Sequence, residues 1–389
     1  MVASKEKSGP LTGVKVVDLT TMVFGPYCTQ IMADMGAEVI KVEPPEGDAV
    51  RNISVGPRPG MAGVFVNINR GKRSVILDLR SEDGKAALRK LIADADLFIH
   101  SMRGKAITKL GFGYEDVAKI NPGIVYTNCY GYSRRGPDKD LTAYDDTIQA
   151  ACGIPGVQKM LTGEANFVGT IVADKVAGLT ALYATMMALF HKVRTGEGQE
   201  VEVGMFETMA SFMLVEHANG QLFTPPLGPA VYPRTVVPNR KPYKTKDGYI
   251  AALVYNDKQW NSFVSAVKPA WNDDTKFGTL GQRAKRFDEV FGLLGQTFLE
   301  KTTDEWLNLL DSLDVPAAPI RTPQDLLDNP HLNEIGFFET VETQDGPVRF
   351  PGVPTWFSKT PGHVAGGAPT LGEHSAEILA EADAKTKPV

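Results

Sequence analysis

The chain has 389 residues, 43% of them apolar, and carries 41 Lys and Arg against 46 Asp and Glu, a formal net charge of −5. That apolar content supports large cores in two or three folding units and excludes a disordered chain. Three widely spaced cysteines, Cys28, Cys129 and Cys152, exclude a disulfide scaffold and a structural zinc site and point to a reducing cytoplasm. Scattered basic residues on an acidic chain argue against a nucleic-acid partner.

The first ten residues, MVASKEKSGP, have charges but no apolar stretch behind them, so they read as a polar lead-in and not a signal peptide. From Val14 onward short β-branched runs alternate with helical stretches, the signature of parallel βαβ units. Strands are predicted at Val14–Leu19, Glu38–Glu43, Ser74–Leu79, Asp96–Ser101 and Gly123–Tyr132. Helices are predicted at Tyr27–Met35, after Gly25-Pro26, at Glu82–Ala95, capped by Ser81, and at Tyr114–Asn121. The result is an α/β chain whose first part is a Rossmann-like doubly wound sheet.

A helix is predicted at Tyr144–Cys152 and a long one at Asp174–Arg194, ended by Gly196. The uncharged run Val176–Phe190 is shorter than the ~20 residues a bilayer needs, so it predicts a core helix packed on every side rather than a membrane span. A strand at Gln199–Gly204 and a helix at Phe206–Phe223 follow. Six prolines between 225 and 244 mark a linker. Beyond it, a strand at Gly248–Tyr255, a helix at Asp257–Val267 and a capping box at Thr302-x-x-Glu305 ahead of Trp306–Leu313 predict a smaller α/β domain. Asp345-Gly346 between Phe338–Gln344 and Pro347–Phe350 predicts a two-residue hairpin turn, and Glu373–Ala382 a terminal helix. The predicted layout is a large domain over 1–224, a proline-rich linker over 225–245, a small domain over 246–325, and a segment over 326–389 that returns to the large domain.

Several chemistries are absent as motifs. The turn after the first strand, Thr20-Thr-Met-Val-Phe-Gly25, lacks GxGxxG, and no P-loop, GxSxG elbow or HExxH pair occurs. The six histidines, His100, His191, His217, His331, His363 and His374, have no ligand spacing, so no metal site is predicted. Asp174 stands apart because it lies where an apolar run meets the long helix. One reading makes it the helix N-cap. The other makes it a nucleophile, kept ionised by helix amides while apolar surroundings strip its water.

A series of segments in order carries a resemblance to a known family. They are Leu11–Leu19, Gly25-Pro26, Gly36–Glu43 with Gly47-Asp48 and Arg51, Asn69–Ser74 with Leu77-Asp78-Leu79, Leu110-Gly-Phe112, and Asn121-Pro122. Gly131-Tyr132, Gly136-Pro137, Tyr144-Asp145, Ala173-Asp174 with Gly178, Thr195–Gln199 and Leu371–His374 complete the series. On these the chain resembles the class III CoA-transferases, the group of formyl-CoA transferase and carnitine CoA-transferase, from about Leu11 to Leu379. The resemblance places Asp174 on the family's catalytic aspartate and Asp145 on an acidic position near it. It also implies an aspartyl anhydride followed by an aspartyl-CoA thioester. By the same resemblance Arg80 and Lys109 contact CoA, Leu77 and Met102 lie beside its apolar and adenine parts, and Met22, Phe24 and Tyr144 line the acyl-CoA site. Coenzyme A enters as substrate and no tightly bound cofactor is implied.

Departures from formyl-CoA transferase also bear on the substrate. Pro44 replaces a basic residue after the second strand, Val23 replaces a glutamine near the centre, and Val236–Lys241 occupies the region of a glycine-rich loop. These disfavour formate and oxalate. Apolar Met22-Val23-Phe24 suggests a larger acyl group, with Arg240 or Lys241 available to grip a dicarboxylate. The related α-methylacyl-CoA racemases use a His before their Asp, where this chain has Tyr144, a poor base near neutral pH. A silent CoA-binding subunit of a heteromeric transferase is a third reading. The family resemblance also implies an interlocked homodimer, for which the proline-rich segment and the stretch after 325 supply long crossing linkers.

Overall fold

The structure is a computed structural model describing residues 8–385. The expected polar lead-in therefore lies mostly outside the described residues. In chain order the first elements are β1 (Lys15–Leu19), α1 (Phe24–Asp34), β2 (Glu38–Glu43), α2 (Gly63–Ile68), β3 (Arg73–Ile76) and α3 (Glu82–Ala93). Next come β4 (Leu97–His100), α4 (Gly104–Leu110), α5 (Tyr114–Ile120), β5 (Val125–Tyr130), α6 (Asp145–Ala151), α7 (Ile154–Thr162), α8 (Val172–Thr195), β6 (Gln199–Gly204) and α9 (Met205–His217). The chain divides into two compact units. The first gathers the described residues up to Cys152, Gly169–Phe212 and those from His331 on; the second gathers Gly153–Val168 and Met213–Pro330.

The first unit is built on six parallel strands in the order β3-β2-β1-β4-β5-β6. Chain direction across the sheet reverses between β1 and β4, so the loops after those two strands flank the crevice where open α/β sheets bind ligands. β4 and β5 are buried at every position, as strands covered on both faces must be. One layer packs Leu88, Leu91 and Ile92 of α3 against Val17, Phe98 and Tyr126 of the sheet, with Ile378 of the terminal helix completing it. Ser81 caps α3 as expected, its Oγ accepting from the Gly84 amide at 3.1 Å.

Under the turn after β1 lies a cluster of buried charges. Lys72 Nζ donates to Asp18 Oδ2 (3.1 Å), Thr29 Oγ1 (2.7 Å) and Asn69 Oδ1 (2.9 Å), and Lys41 Nζ reaches Asp48 Oδ2 at 3.0 Å. Arg51 forks onto Glu43 with contacts of 2.7 and 2.6 Å. Burial raises the Asp18 pKa, but Lys72, Lys41 and two threonine hydroxyls outweigh it and hold the carboxyl below its ordinary value. Burial also pulls Lys72 down to about 8, even with Asp18 beside it, which leaves the ammonium charged at neutral pH.

Helix α8 departs from expectation. Ala173, Ala177, Gly178, Ala181, Thr185 and Ala188 form its buried face, small residues that let α8 approach its neighbours closely. A Cβ at Gly178 would sit 2.9 Å from the Phe24 carbonyl oxygen and 3.0 Å from the Tyr27 ring, so only glycine fits there. The large apolar side chains are outside, with Tyr183, Met187, Phe190 and Val193 each more than half exposed in the chain. The expected helix packed on every side is instead a helix with one packed face and one bare apolar stripe. It is long and apolar enough to cross a membrane by length and composition, but its small-residue face belongs to the sheet layer, where Thr185 Oγ1 meets Thr127 Oγ1 of β5 at 2.9 Å.

The second unit continues with β7 (Tyr243–Lys244), β8 (Tyr249–Ala252), α10 (Asp257–Val267), α11 (Asp274–Phe277), α12 (Leu280–Ala284), α13 (Phe287–Phe298), α14 (Thr303–Ser312), β9 (Ala317–Pro319) and α15 (Pro323–Leu327). Its antiparallel sheet runs β7-β8-β9. The core is aromatic, with Trp260, Phe263, Phe298 and Trp306 buried and Tyr243 stacked on Phe298 at 4.7 Å. The Thr302 and Glu305 capping box forms, Glu305 Oε2 accepting from the Thr302 amide at 2.8 Å. The chain then returns through α16 (Pro330–Glu334), β10 (Phe338–Thr343), β11 (Gly346–Pro351) and α17 (Ser375–Lys385).

Other differences have local causes. The two-residue turn is Gln344-Asp345 rather than Asp345-Gly346, because Gly346 pairs with Thr343 and takes φ +96° at the start of its strand. The helix expected over Phe206–Phe223 stops at His217 and is followed by a short 3-10 turn at Asn219–Leu222, with Asn219 at φ +38°. Helices α2, α4, α7 and α13 have no counterpart among the expected elements.

Candidate active site

The turn from β1 into α1 is held from beneath. The Met22 amide donates to Asp48 Oδ1 at 3.2 Å, and Asp48 is fixed in turn by Lys41. Met22 has φ +65°, a conformation that residues with side chains adopt rarely and at a cost. The buried ion pair thus maintains a strained turn, which aims the first amide of α1 outward. The Phe24 amide faces the Asp174 carboxylate and favours its ionised form.

Asp174 is the third residue of α8, and the helix begins at Val172 with Ile171 in the cap position making no side-chain cap bond. The capping reading is therefore corrected: the acceptor for this helix end comes from Asp145, the first residue of α6, whose Oδ1 takes the Asp174 amide at 3.0 Å. Asp145 is buried and its other oxygen accepts from Gln149 Nε2 at 2.6 Å. Because Asp145 satisfies the helix end, the Asp174 carboxylate is not needed as a cap. Burial, and next the charge of Asp145, push the Asp174 pKa up to about 6, and the Phe24 amide opposes them. A half-buried carboxylate that is ionised at neutral pH and not engaged as a cap is a competent nucleophile toward an acyl carbon.

A cleft of about 290 Å³ opens at the crevice between β1 and β4, lined by Leu77, Arg80, Met102, Leu110, Thr21 and Pro44 among others. The Thr21 amide bonds Ser101 Oγ at 3.0 Å and ties the two loops together. Leu77 is buried, offering an apolar wall. Arg80 is exposed and forks onto Asp78 with bonds of 2.8 and 3.2 Å, an exposed pair that an incoming phosphate can open at little cost. Lys109 stands in the last turn of α4, exposed and next to Leu110. Met102 is positioned by His100, a residue the sequence reading set aside. His100 Nδ1 accepts the Met102 amide at 3.2 Å while Nε2 meets Asn128 Oδ1 at 2.9 Å. Burial lowers the His100 pKa to about 4, so the ring stays neutral and keeps this tautomer.

The structure therefore brings Leu77, Arg80 and Met102 to one cleft and Asp145 to Asp174, whereas Lys109 is not among the residues lining that cleft. Phe24 differs from its expected role, since its ring is buried and it is the amide that faces the carboxylate. Tyr144 lies just before α6 with an exposed side chain. A second cleft of about 850 Å³, lined by Val23, Tyr27, Ile31, Ile171, Lys175 and Leu179 among others, runs along α1 and α8. Sequence reasoning missed Gln149. The signal was present as Asp145 and Gln149 four residues apart on one helix face.

The chain is similar to several known proteins. The chain is 30% identical to a succinate–glutarate CoA-transferase of Agrobacterium fabrum over 98% of both chains. It is also 30% identical to a succinyl-CoA:mesaconate CoA-transferase of Haloarcula hispanica, over 97% of this chain and 98% of that one. Among solved structures it resembles a CAIB/BAIF family protein from Brucella suis, with a TM-score of 0.80 and 31% identity, covering 97% of this chain and 100% of the other. Rv3272 from M. tuberculosis aligns with a TM-score of 0.82 and 29% identity over 96% and 99% of the two chains. The model of CoA-transferase family III matches residues 11–375, and this chain belongs to that family as a CoA-transferase enzyme.

Proposed function

We propose that this enzyme moves CoA from an acyl-CoA donor to a carboxylic acid acceptor through covalent intermediates on Asp174. The observation that carries the reading is the Asp174 carboxylate itself, released from capping by Asp145 and raised to a pKa of about 6. The Asp174 carboxylate attacks the donor thioester, a C–O bond forms, and the C–S bond breaks to release CoA thiolate and leave a mixed anhydride. The thiolate then attacks the aspartyl carbonyl, giving an aspartyl-CoA thioester and freeing the donor acid. The acceptor carboxylate reverses both steps and leaves with CoA, so no ATP or metal is consumed. Asp145 acts as a positioning residue, since its hydrogen bond goes to the Asp174 backbone. Arg80 and Lys109 take the phosphates of CoA, and Leu77 and Met102 flank its apolar parts. The names of the relatives favour succinyl-CoA as donor and a short dicarboxylic acid as acceptor.

The purified chain alone, given succinyl-CoA and glutarate, is expected to form glutaryl-CoA without exchanging α-protons in deuterated water. Proton exchange without transfer would favour a racemase, and silence in both would favour a partner subunit. The kcat/KM profile is expected to fall on the acid side with an apparent pKa of about 6 as Asp174 protonates. An acid limb near the ordinary carboxylate value would contradict the assignment.

We also propose a homodimer. The bare stripe of Tyr183, Met187, Phe190 and Val193 on α8 and the apolar cleft of about 850 Å³ beside it offer a surface suited to a second copy of the chain. Sedimentation is expected to give a dimer that persists on dilution, and a monomer at low concentration would defeat this.

A further inference from the structure

The second unit holds a cleft of about 500 Å³ that contains none of the residues assigned above to the transfer steps. Arg234, Arg240 and Lys241 line it, and the rest of its wall is apolar, small at Ala251, Ala252 and Pro316–Ala318 and aromatic at Tyr243 and Phe291. No acidic side chain lines it. Most arginines elsewhere in the chain are committed to carboxylates, as Arg51, Arg70, Arg73, Arg134 and Arg283 show. Among the described residues none of these three cations makes an ion pair within 4.0 Å. Arg234 lies over the Tyr255 ring at 5.1 Å, and its Nε is buried without a hydrogen-bond partner. A buried guanidinium N–H left unmade is costly, and an arriving acceptor would repair it.

The segment that carries the other two cations is anchored. The Asn239 amide donates to Asp288 Oδ1 at 2.9 Å and its side-chain amide donates to the Asp288 carbonyl at 3.2 Å. Asp288 is therefore engaged with the backbone just before Arg240, and that acceptor is taken up in holding the loop. Three cations fix the sign of the ligand. The apolar wall fixes its form: it offers no amide cradle of the kind phosphates use, but it suits a short hydrocarbon chain between charged ends.

We propose that this cleft binds a short organic acid with two carboxylates, which the three cations hold by their oxygens while the methylene chain lies along the apolar wall. The proposal rests on the transferase reading only for the role of that acid, as acceptor or released donor acid.

Equilibrium titration of the full-length protein with glutarate, butyrate, inorganic phosphate and CoA tests it. Glutarate is expected to bind at least about tenfold more tightly than butyrate. The R240A/K241A double variant, altered only at exposed side chains, is expected to weaken glutarate by a similar factor and leave CoA affinity unchanged. Arg234→Gln is expected to do the same, reporting on the orphaned N–H. Unchanged glutarate affinity in both variants overturns the proposal, and so does a loss confined to phosphate or CoA. Adduct formation on Asp174 with succinyl-CoA is scored separately. An adduct with glutarate binding indifferent to the three cations rejects this site and keeps the transferase reading; cation-dependent binding with no adduct does the reverse.

Discussion

Asp174→Asn lowers the rate of CoA transfer by about a thousandfold or more, because the amide cannot form the anhydride on which every later step depends. CoA affinity is unchanged, since Leu77, Arg80, Met102 and Lys109 are untouched. The same substitution stabilises the protein. Asp174 has a folded pKa above its unfolded value, so its ionised form is disfavoured by folding. The stability it contributes is present below the unfolded value of 3.8 and is lost as pH rises through about 6. Asn avoids that loss, a gain of about 2–3 kcal/mol at pH 8 that shrinks toward pH 4. Thermal melts of both forms across that range check it. A variant less stable than the parent at pH 8 would mean that Asp174 is a structural carboxylate, contrary to this account.

Asp18→Asn has the second large effect. Asn has nearly the same shape and its amide oxygen can keep the bonds from Thr20, but its NH2 replaces the oxygen that accepts from Thr29 and Lys72, and Lys72 loses the charge that balances it inside the protein. Breaking a buried pair from one side costs about 3–5 kcal/mol, far more than the pair itself contributes. Because Asp18 and Lys72 lie beneath the turn that presents the Phe24 amide, transfer falls along with stability. Adding Lys72→Met removes the orphaned ammonium and restores part of the lost stability, a non-additivity read from urea midpoints of the single and double variants. A single variant within about 1 kcal/mol of the parent would show that the cluster is not held by this pair.

How far the sequence disclosed these features depends on the range of the interaction. β2, β6 and α10 fall on their expected boundaries because each is a local pattern, whether alternating strand residues or an amphipathic period between clear caps. The parallel order also follows from the alternation of strands and helices. What escaped was tertiary. Asp174 looks like a cap because Asp is a good capping residue, and only the fold reveals that Asp145, 29 residues earlier, performs that task. The two faces of α8 are indistinguishable in a helix apolar all round, until Ala177, Gly178 and Ala181 are seen to be the packed ones. Met22 carries no mark of its left-handed backbone, and His100 none of its hold on Met102. Arg240 and Lys241 stand out in the sequence as neighbouring cations, but only the folded second unit brings Arg234 into the same cleft.

The central claim is that acyl and CoA groups pass through the Asp174 carboxylate. It is tested most directly by incubating the purified protein with succinyl-CoA and hydroxylamine and mapping the modified peptide by mass. Hydroxylamine nitrogen attacks the aspartyl carbonyl and expels the thiolate, so a hydroxamate at Asp174, dependent on the donor, is the predicted result. Turnover of succinyl-CoA with glutarate while Asp174 stays unmodified would contradict it.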